Sequence, residues 1–280
     1  MKYSKLFQVK RGEKIKLGKI DPDFTDGLED TEAVEDKIKK HTETIRDLQY
    51  SLFAEGKRSL LICLQGLDAA GKDGTIRHVL GAMDPQGTRV CGFKVPSLEE
   101  ASHDFLWRIE KQVPAKGEVV IFNRSHYEDV LVVRVHKTVP EEVWSKRFNM
   151  INHFEKGLVA NGTHILKVYL HISPEEQLKR FQERLDDPLR QWKISESDYE
   201  EREYWKKYTQ AYEDIFRETN TVHSPWFVIP SNNKWFRNLA ISQIIVEKLK
   251  SLGMKLPELQ VDLSEIRRKY HQALVEQERK

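Results

Sequence analysis

Five short apolar runs punctuate an otherwise charged chain. Ser59–Leu64 (SLLICL) is apolar almost throughout, and Arg89–Val95, Glu118–Asn123, Ile165–Ile172 and Trp226–Ile229 repeat the theme. Runs of this length suit strands covered on both faces, as in a parallel sheet. Between them the apolar spacing changes. Val34, Ile38, His41, Ile45, Leu48 and Leu52 recur every three or four positions, which predicts a helix within 28–53. Helical patterns also cover 98–111 and 141–158, the latter placing Trp144, Phe148, Ile151, Phe154 and Leu158 on one face. Strands alternating with helices predict an α/β fold, a three-layer arrangement around a central parallel five-stranded sheet. The segment 174–219 is long, charged and helical, and reads as an insertion between the fourth and fifth strands. A helix is expected within 235–252 and an amphipathic one around Leu263, Ile266, Tyr270 and Leu274. The chain thus divides into an N-terminal extension and helix (1–57), a core with its helical insertion (58–252) and a C-terminal helix (253–280). Residues 1–27 are expected to be extended or loosely packed.

Composition narrows the class. With 280 residues, 10% aromatic and 39% hydrophobic, the chain can bury a large core, which excludes wholesale disorder. A net charge of +2 excludes a coating of polyanion, so a phosphate-rich partner must be held by a local basic cluster. Two cysteines, Cys63 and Cys91, cannot build a disulfide framework or a four-cysteine zinc site. They are read as buried thiols in a cytoplasmic protein. No apolar leader and no membrane-length run occur, and no membrane or nucleic-acid partner is expected.

The chemistry begins directly after the first predicted strand. Gly66-Leu67-Asp68-Ala69-Ala70-Gly71-Lys72 fits G-x-x-x-x-G-K, the Walker A pattern, in the strand–loop–helix setting that it requires. The backbone amides of Gly66, Ala69, Ala70, Gly71, Asp73 and Gly74 can then converge on a phosphate, and Lys72 adds a point charge. Asp73 stands where Ser or Thr normally ligates magnesium. Asp68 lies inside the cradle, where a carboxylate is repelled by phosphate unless a cation lies between them. Asp68 is therefore expected to hold Mg²⁺, with Mn²⁺ as a substitute. At the end of the third strand, Asn123 occupies the usual place of a metal-binding Asp. Arg124 follows, suited to neutralising charge on a transferring phosphoryl group. Ser125 lacks the setting of a hydrolase nucleophile.

The pair G-x-D-x-x-G-K and F-N-R-S-x-Y, with an arginine-bearing helix after the fourth strand, resembles the polyphosphate kinase 2 family. The resemblance covers about Tyr50 to Leu252. It implies a P-loop kinase-like fold, Mg²⁺ dependence, and phosphoryl exchange between inorganic polyphosphate and adenine or guanine nucleotides by a homodimer or homotetramer. Members restricted to diphosphates commonly carry W-Y-N-R where this chain has His126-Tyr127-Glu128-Asp129. The version here looks like the subgroup that phosphorylates both AMP and ADP. Tyr127, Glu128 and Asp129 are accordingly expected to govern acceptor choice, and Asp129 to join Asp68 at the metal. The helical insertion 174–219 resembles the lid of this family, from which Arg180, Arg184 and Lys193 are expected to clamp phosphates. Arg134 and Lys137 are candidates for lining the polyphosphate path, and Lys179 and Arg190 are read as solvated. The rival readings are an ATP-dependent nucleoside or nucleotide kinase and a nucleotide- or RNA-binding regulator.

Overall fold

The computed structural model of the chain describes residues 2–278; Met1, Arg279 and Lys280, at the ends of the predicted terminal segments, lie outside them. All five predicted strands form: β1 (Ser59–Gln65), β2 (Thr88–Gly92), β3 (Val119–Asn123), β4 (Thr163–His171) and β5 (Trp226–Pro230). They make one parallel sheet in the order β2-β3-β1-β4-β5. β1 is central, so the loop leaving it is flanked by the carboxyl ends of β3 and β4. Open α/β sheets bind ligands in that crevice.

The eight helices of eight or more residues among those described are α1 (Glu32–Glu55), α2 (Glu128–Val135), α3 (Glu141–Ala160), α4 (Pro174–Asp186), α5 (Glu196–Glu203), α6 (Trp205–Thr219), α7 (Lys234–Leu252) and α8 (Leu263–Glu278). Strand alternation distributes side chains to two covered faces. Leu60, Ile62 and Leu64 join a core formed with α1 and α7. Leu61 and Cys63 face the other way, with Phe122 and Ile165, against Phe154 and Leu158 of α3. α4 starts on Ser173, whose hydroxyl accepts from Glu176 N, with Pro174 at the first helical position. It ends before Pro188, which disfavours helical backbone at the residue before it.

Three expectations change. Residues 98–111 do not form one helix. They split into Leu98–Ser102 and Trp107–Glu110, because Asp104 caps a new turn by accepting from Leu106 N at 2.9 Å. The N-terminal segment is not loosely packed. Tyr3, Val9 and Leu17 are buried, and Gln8 bridges Phe227, covering the exposed edge of β5. Finally, α6, placed by the sequence within the lid, buries Tyr212, Ile215 and Phe216 against the sheet. Cys63 is fully buried, as expected, but Cys91 is only half-buried; both are free thiols. No helix among the described residues is long and apolar enough to cross a membrane.

Candidate active site

β1 delivers the chain into a tight turn whose backbone departs from ordinary conformations. Gly71 has φ +110°, and Ala69, not a glycine, has φ +60°. Such backbone costs about 1–3 kcal/mol for a non-glycine residue and persists only where surroundings over-determine it. Here the surroundings are visible. Arg180 of α4 is buried and sends Nη1 to the carbonyls of Ala69 (2.9 Å) and Ala70 (3.1 Å). Its Nη2 donates to the Ser231 and Asn232 carbonyls, and its Nε to Glu176. Gln177 adds a bond to the Asp68 carbonyl. Arg180 was expected as a phosphate clamp. Its planar fork is engaged by protein oxygens, so it braces the loop while bordering the same cavity.

Lys72 lies across the loop, with Nζ donating to the Gly66 carbonyl at 2.5 Å and the Leu67 carbonyl at 3.2 Å. Burial, and then the nearby Arg124 charge, pull its ammonium down to about 8. Arg124 follows the end of β3, tied back by its N–H to the Leu64 carbonyl, with φ +65°. Its Nη2 meets Asp68 Oδ1 at 2.6 Å, and its Nη1 lies 3.5 Å from Glu128 Oε2. Burial pushes the Glu128 carboxyl up, against the pull of Arg124 and Lys72. Asp73 accepts from Asn123 Nδ2 at 3.0 Å and from the lid residue Lys193 at 2.7 Å, so Lys193 bridges the lid to the loop. Arg184 donates to the Lys193 carbonyl at 3.3 Å.

These groups border one cavity of about 990 Å³. Ten Lys and Arg residues line it against four Asp and Glu, including Asp68, Lys72, Arg124, Arg184 and Lys193. In a chain of net charge +2 this is the expected local basic cluster. Arg190, expected to be solvated, also lines it, whereas Lys179 is exposed and pairs with Glu176. Arg77, Lys94, Lys234 and Arg237 also line it without a motif pointing to them: Lys94, Lys234 and Arg237 lie far from the loop along the chain, and Arg77, just past it, belongs to no part of the pattern.

Other expected residues go elsewhere. Arg134 pairs with Asp214 at 2.7 Å and lies over Trp144, bordering a separate cavity between α2, α3 and α6. Lys137 is exposed just beyond α2 and borders neither cavity. Tyr127 is fully buried, its hydroxyl donating to Glu155 at 2.6 Å. Asp129 faces Arg108 and Arg147 at 3.4 and 3.5 Å. Successive helical residues point about 100° apart, so Glu128 and Asp129 cannot both face the loop. Asp129 is therefore unsuited to share a metal with Asp68. No group of three or more His, Cys, Asp or Glu side chains placed to hold a metal ion occurs among the described residues. Mg²⁺ does not require one, since one or two carboxylates with substrate phosphates and waters suffice. Asp68, carboxylate at the cavity wall, fits that donor pattern.

Comparison with known proteins bears on the fold and the family. The family model described as polyphosphate kinase 2 matches residues 28–257. An AMP/ADP-polyphosphate phosphotransferase of Meiothermus ruber is 48% identical over 255 residues, covering 91% of this chain and 96% of that one. An ADP-polyphosphate phosphotransferase of Rhodopseudomonas palustris is 43% identical, covering 91% and 92%. The crystal structure of polyphosphate kinase 2 from Arthrobacter aurescens TC1 superposes with a TM-score of 0.92 at 42% identity, over 97% of both chains.

Proposed function

The chain belongs to the polyphosphate kinase 2 family, and from that premise we propose that it moves phosphoryl groups reversibly between inorganic polyphosphate and the nucleotides AMP and ADP, forming ATP. The observation that carries this reading is the single cavity that joins loop, Arg124 and lid under a strong excess of positive charge. An acceptor phosphate is already ionised near neutral pH, so positioning and charge neutralisation are the work to be done. Lys72 and the loop amides hold the transferring phosphate. Arg124 lies where it can neutralise charge as the phosphoryl group passes between oxygens. Asp68 would hold Mg²⁺, which supplies further charge neutralisation to the phosphates when bound. Arg184 and Lys193 on the lid contact the phosphates and exclude water. Glu128, the member of the Glu128-Asp129 pair beside Arg124, is the acceptor-selecting residue. A homodimer or homotetramer in the cytoplasm completes the reading. The exposed apolar side chains Ile266, Tyr270 and Leu274 of α8 offer a surface for such assembly.

The test is ATP formation from AMP, and separately from ADP, with polyphosphate and Mg²⁺ and no other donor. ATP from both is expected. Product from ADP alone would remove the dual-acceptor assignment. Product from neither, while ATP serves as donor, would establish the ATP-dependent kinase instead.

A further inference from the structure

Most of the arginines around the loop are spoken for by the protein itself. Arg180 is engaged by carbonyls and Arg124 by two carboxylates. Arg237, in the first turn of α7, is different. It is 3% exposed, yet no Asp or Glu pairs with it among the described residues. Its Nε and Nη2 donate only to the neighbouring amide oxygen of Asn238, at 3.2 and 2.9 Å. The guanidinium is pressed against the loop's outer flank. A Cβ added at Gly71 would overlap Nη1, and one added at Gly74 would fall 3.0 Å from Nη2. The two glycines thus make room for the cation, and Arg237 borders the same cavity as Lys72. Burial, with Arg180 nearby, pulls its guanidinium down to about 9. A buried charge without a partner is costly to retain, so a site that keeps one calls for a counter-ion from outside the protein.

We propose that Arg237 is a phosphate-binding residue of the donor track, taking as its counter-ion a phosphate of the polyphosphate chain that runs over the outer flank of the Gly71–Gly74 turn. This rests on the polyphosphate kinase reading above and adds to it where the chain lies. Arg77, His78, Lys234 and Asn238 line the same cavity and are all polar, whereas its tryptophan, Trp192, belongs to the lid between Arg190 and Lys193. That favours inorganic chain over nucleotide. The planar guanidinium suits bidentate phosphate contact, whereas Lys72 acts as a point charge.

Equilibrium binding of tripolyphosphate and of ADP, measured by calorimetry at fixed salt without turnover, tests this on wild type, Arg237→Met and Arg237→Lys. Arg237→Gln, polar and similar in volume, is run alongside so that the comparison survives if the Met variant fails to fold. Expected is at least tenfold weaker tripolyphosphate binding in the Met and Gln variants, partial recovery in the Lys variant, and ADP binding within about threefold of wild type. The phosphate-free thermal midpoint should hold or rise, because an uncompensated buried charge has been removed. Tripolyphosphate binding within twofold of wild type would overturn the proposal. So would a lowered midpoint with binding by the folded protein intact, which would make Arg237 a structural residue. Equal weakening of ADP would move Arg237 to the nucleotide. None of these readouts needs catalysis, so a wild type that binds tripolyphosphate yet forms no ATP would count against the proposed function alone.

Discussion

Two charged clusters lie on opposite sides of the loop that begins at Arg124, and they are built on opposite principles. Behind it, Lys167 stands in the middle of β4, fully buried, where the period-2 pattern calls for an apolar residue. Its Nζ donates to Glu155 at 2.8 Å, to the Tyr127 hydroxyl at 3.0 Å and to the Thr219 carbonyl at 2.7 Å. Glu155 also receives Tyr127, His126 and Ser224. Every charge in that cluster is answered by protein. In front, Lys72, Arg124 and Asp68 line a cavity in which positive charge exceeds negative, with Glu128 paired to Arg124. A closed network fixes a conformation, whereas an open one with surplus charge awaits a ligand. The closed cluster also serves the open one, because His126 and Tyr127 pin the turn that presents Arg124 and Glu128.

Paired substitutions break this comparison most sharply. Arg124→Ala is expected to lower kcat roughly a thousandfold, in the range of a lost transition-state arginine, while its denaturant midpoint stays near wild type. Glu155→Gln should do the reverse. It strands Lys167 and is expected to cost about 3–5 kcal/mol in urea unfolding, with kcat per folded molecule much closer to wild type. An equal loss of stability in both variants would erase the distinction. The closed cluster also has a pH signature. Lys167 and His126 hold the Glu155 carboxyl down at about 2 against the opposing effect of burial, below its value of about 4.3 in an unfolded chain. Its contribution to stability is therefore complete above about 4.3 and lost as pH falls toward 2.

The open cluster titrates on the alkaline side. Lys72 is pulled down to about 8 in the free protein, so its charge is present below that pH and lost above it. kcat/KM for polyphosphate should fall as pH rises through about 8, while kcat, which reports the phosphate-bound protein, holds to higher pH. A kcat/KM profile flat to pH 9.5 would contradict the assignment. The smallest expected effect is at the acceptor end. Glu128→Asn should change the ratio of AMP to ADP rates several-fold with little loss of stability. An unchanged ratio would remove Glu128 from acceptor choice.

The sequence alone carried the α/β class, five strands in nearly their observed positions, the phosphate loop and the Asn123-Arg124 pair. Each depends on local spacing: a run of apolar residues, a glycine pattern after a strand, a motif at a strand's end. Those relations hold wherever the elements finally pack. What the tertiary structure alone decided was the direction of each side chain and its partners. Asp129 faces two arginines and not Asp68 because it sits one residue, and so a large rotation, along α2 from Glu128. Arg180 became a brace, and Arg134 met Asp214, because the carbonyls and the carboxylate that engage them lie far away along the chain. Lys167 and Glu155 resemble surface charges when read singly, and only the parallel pairing of β4 with α3 over it buries them together. Arg237 stands beside no motif, and its place against Gly71 and Gly74 exists only once α7 is packed on the sheet. Local pattern determines elements and backbone cradles, but a charge acquires its role from its counter-charge, which folding alone supplies.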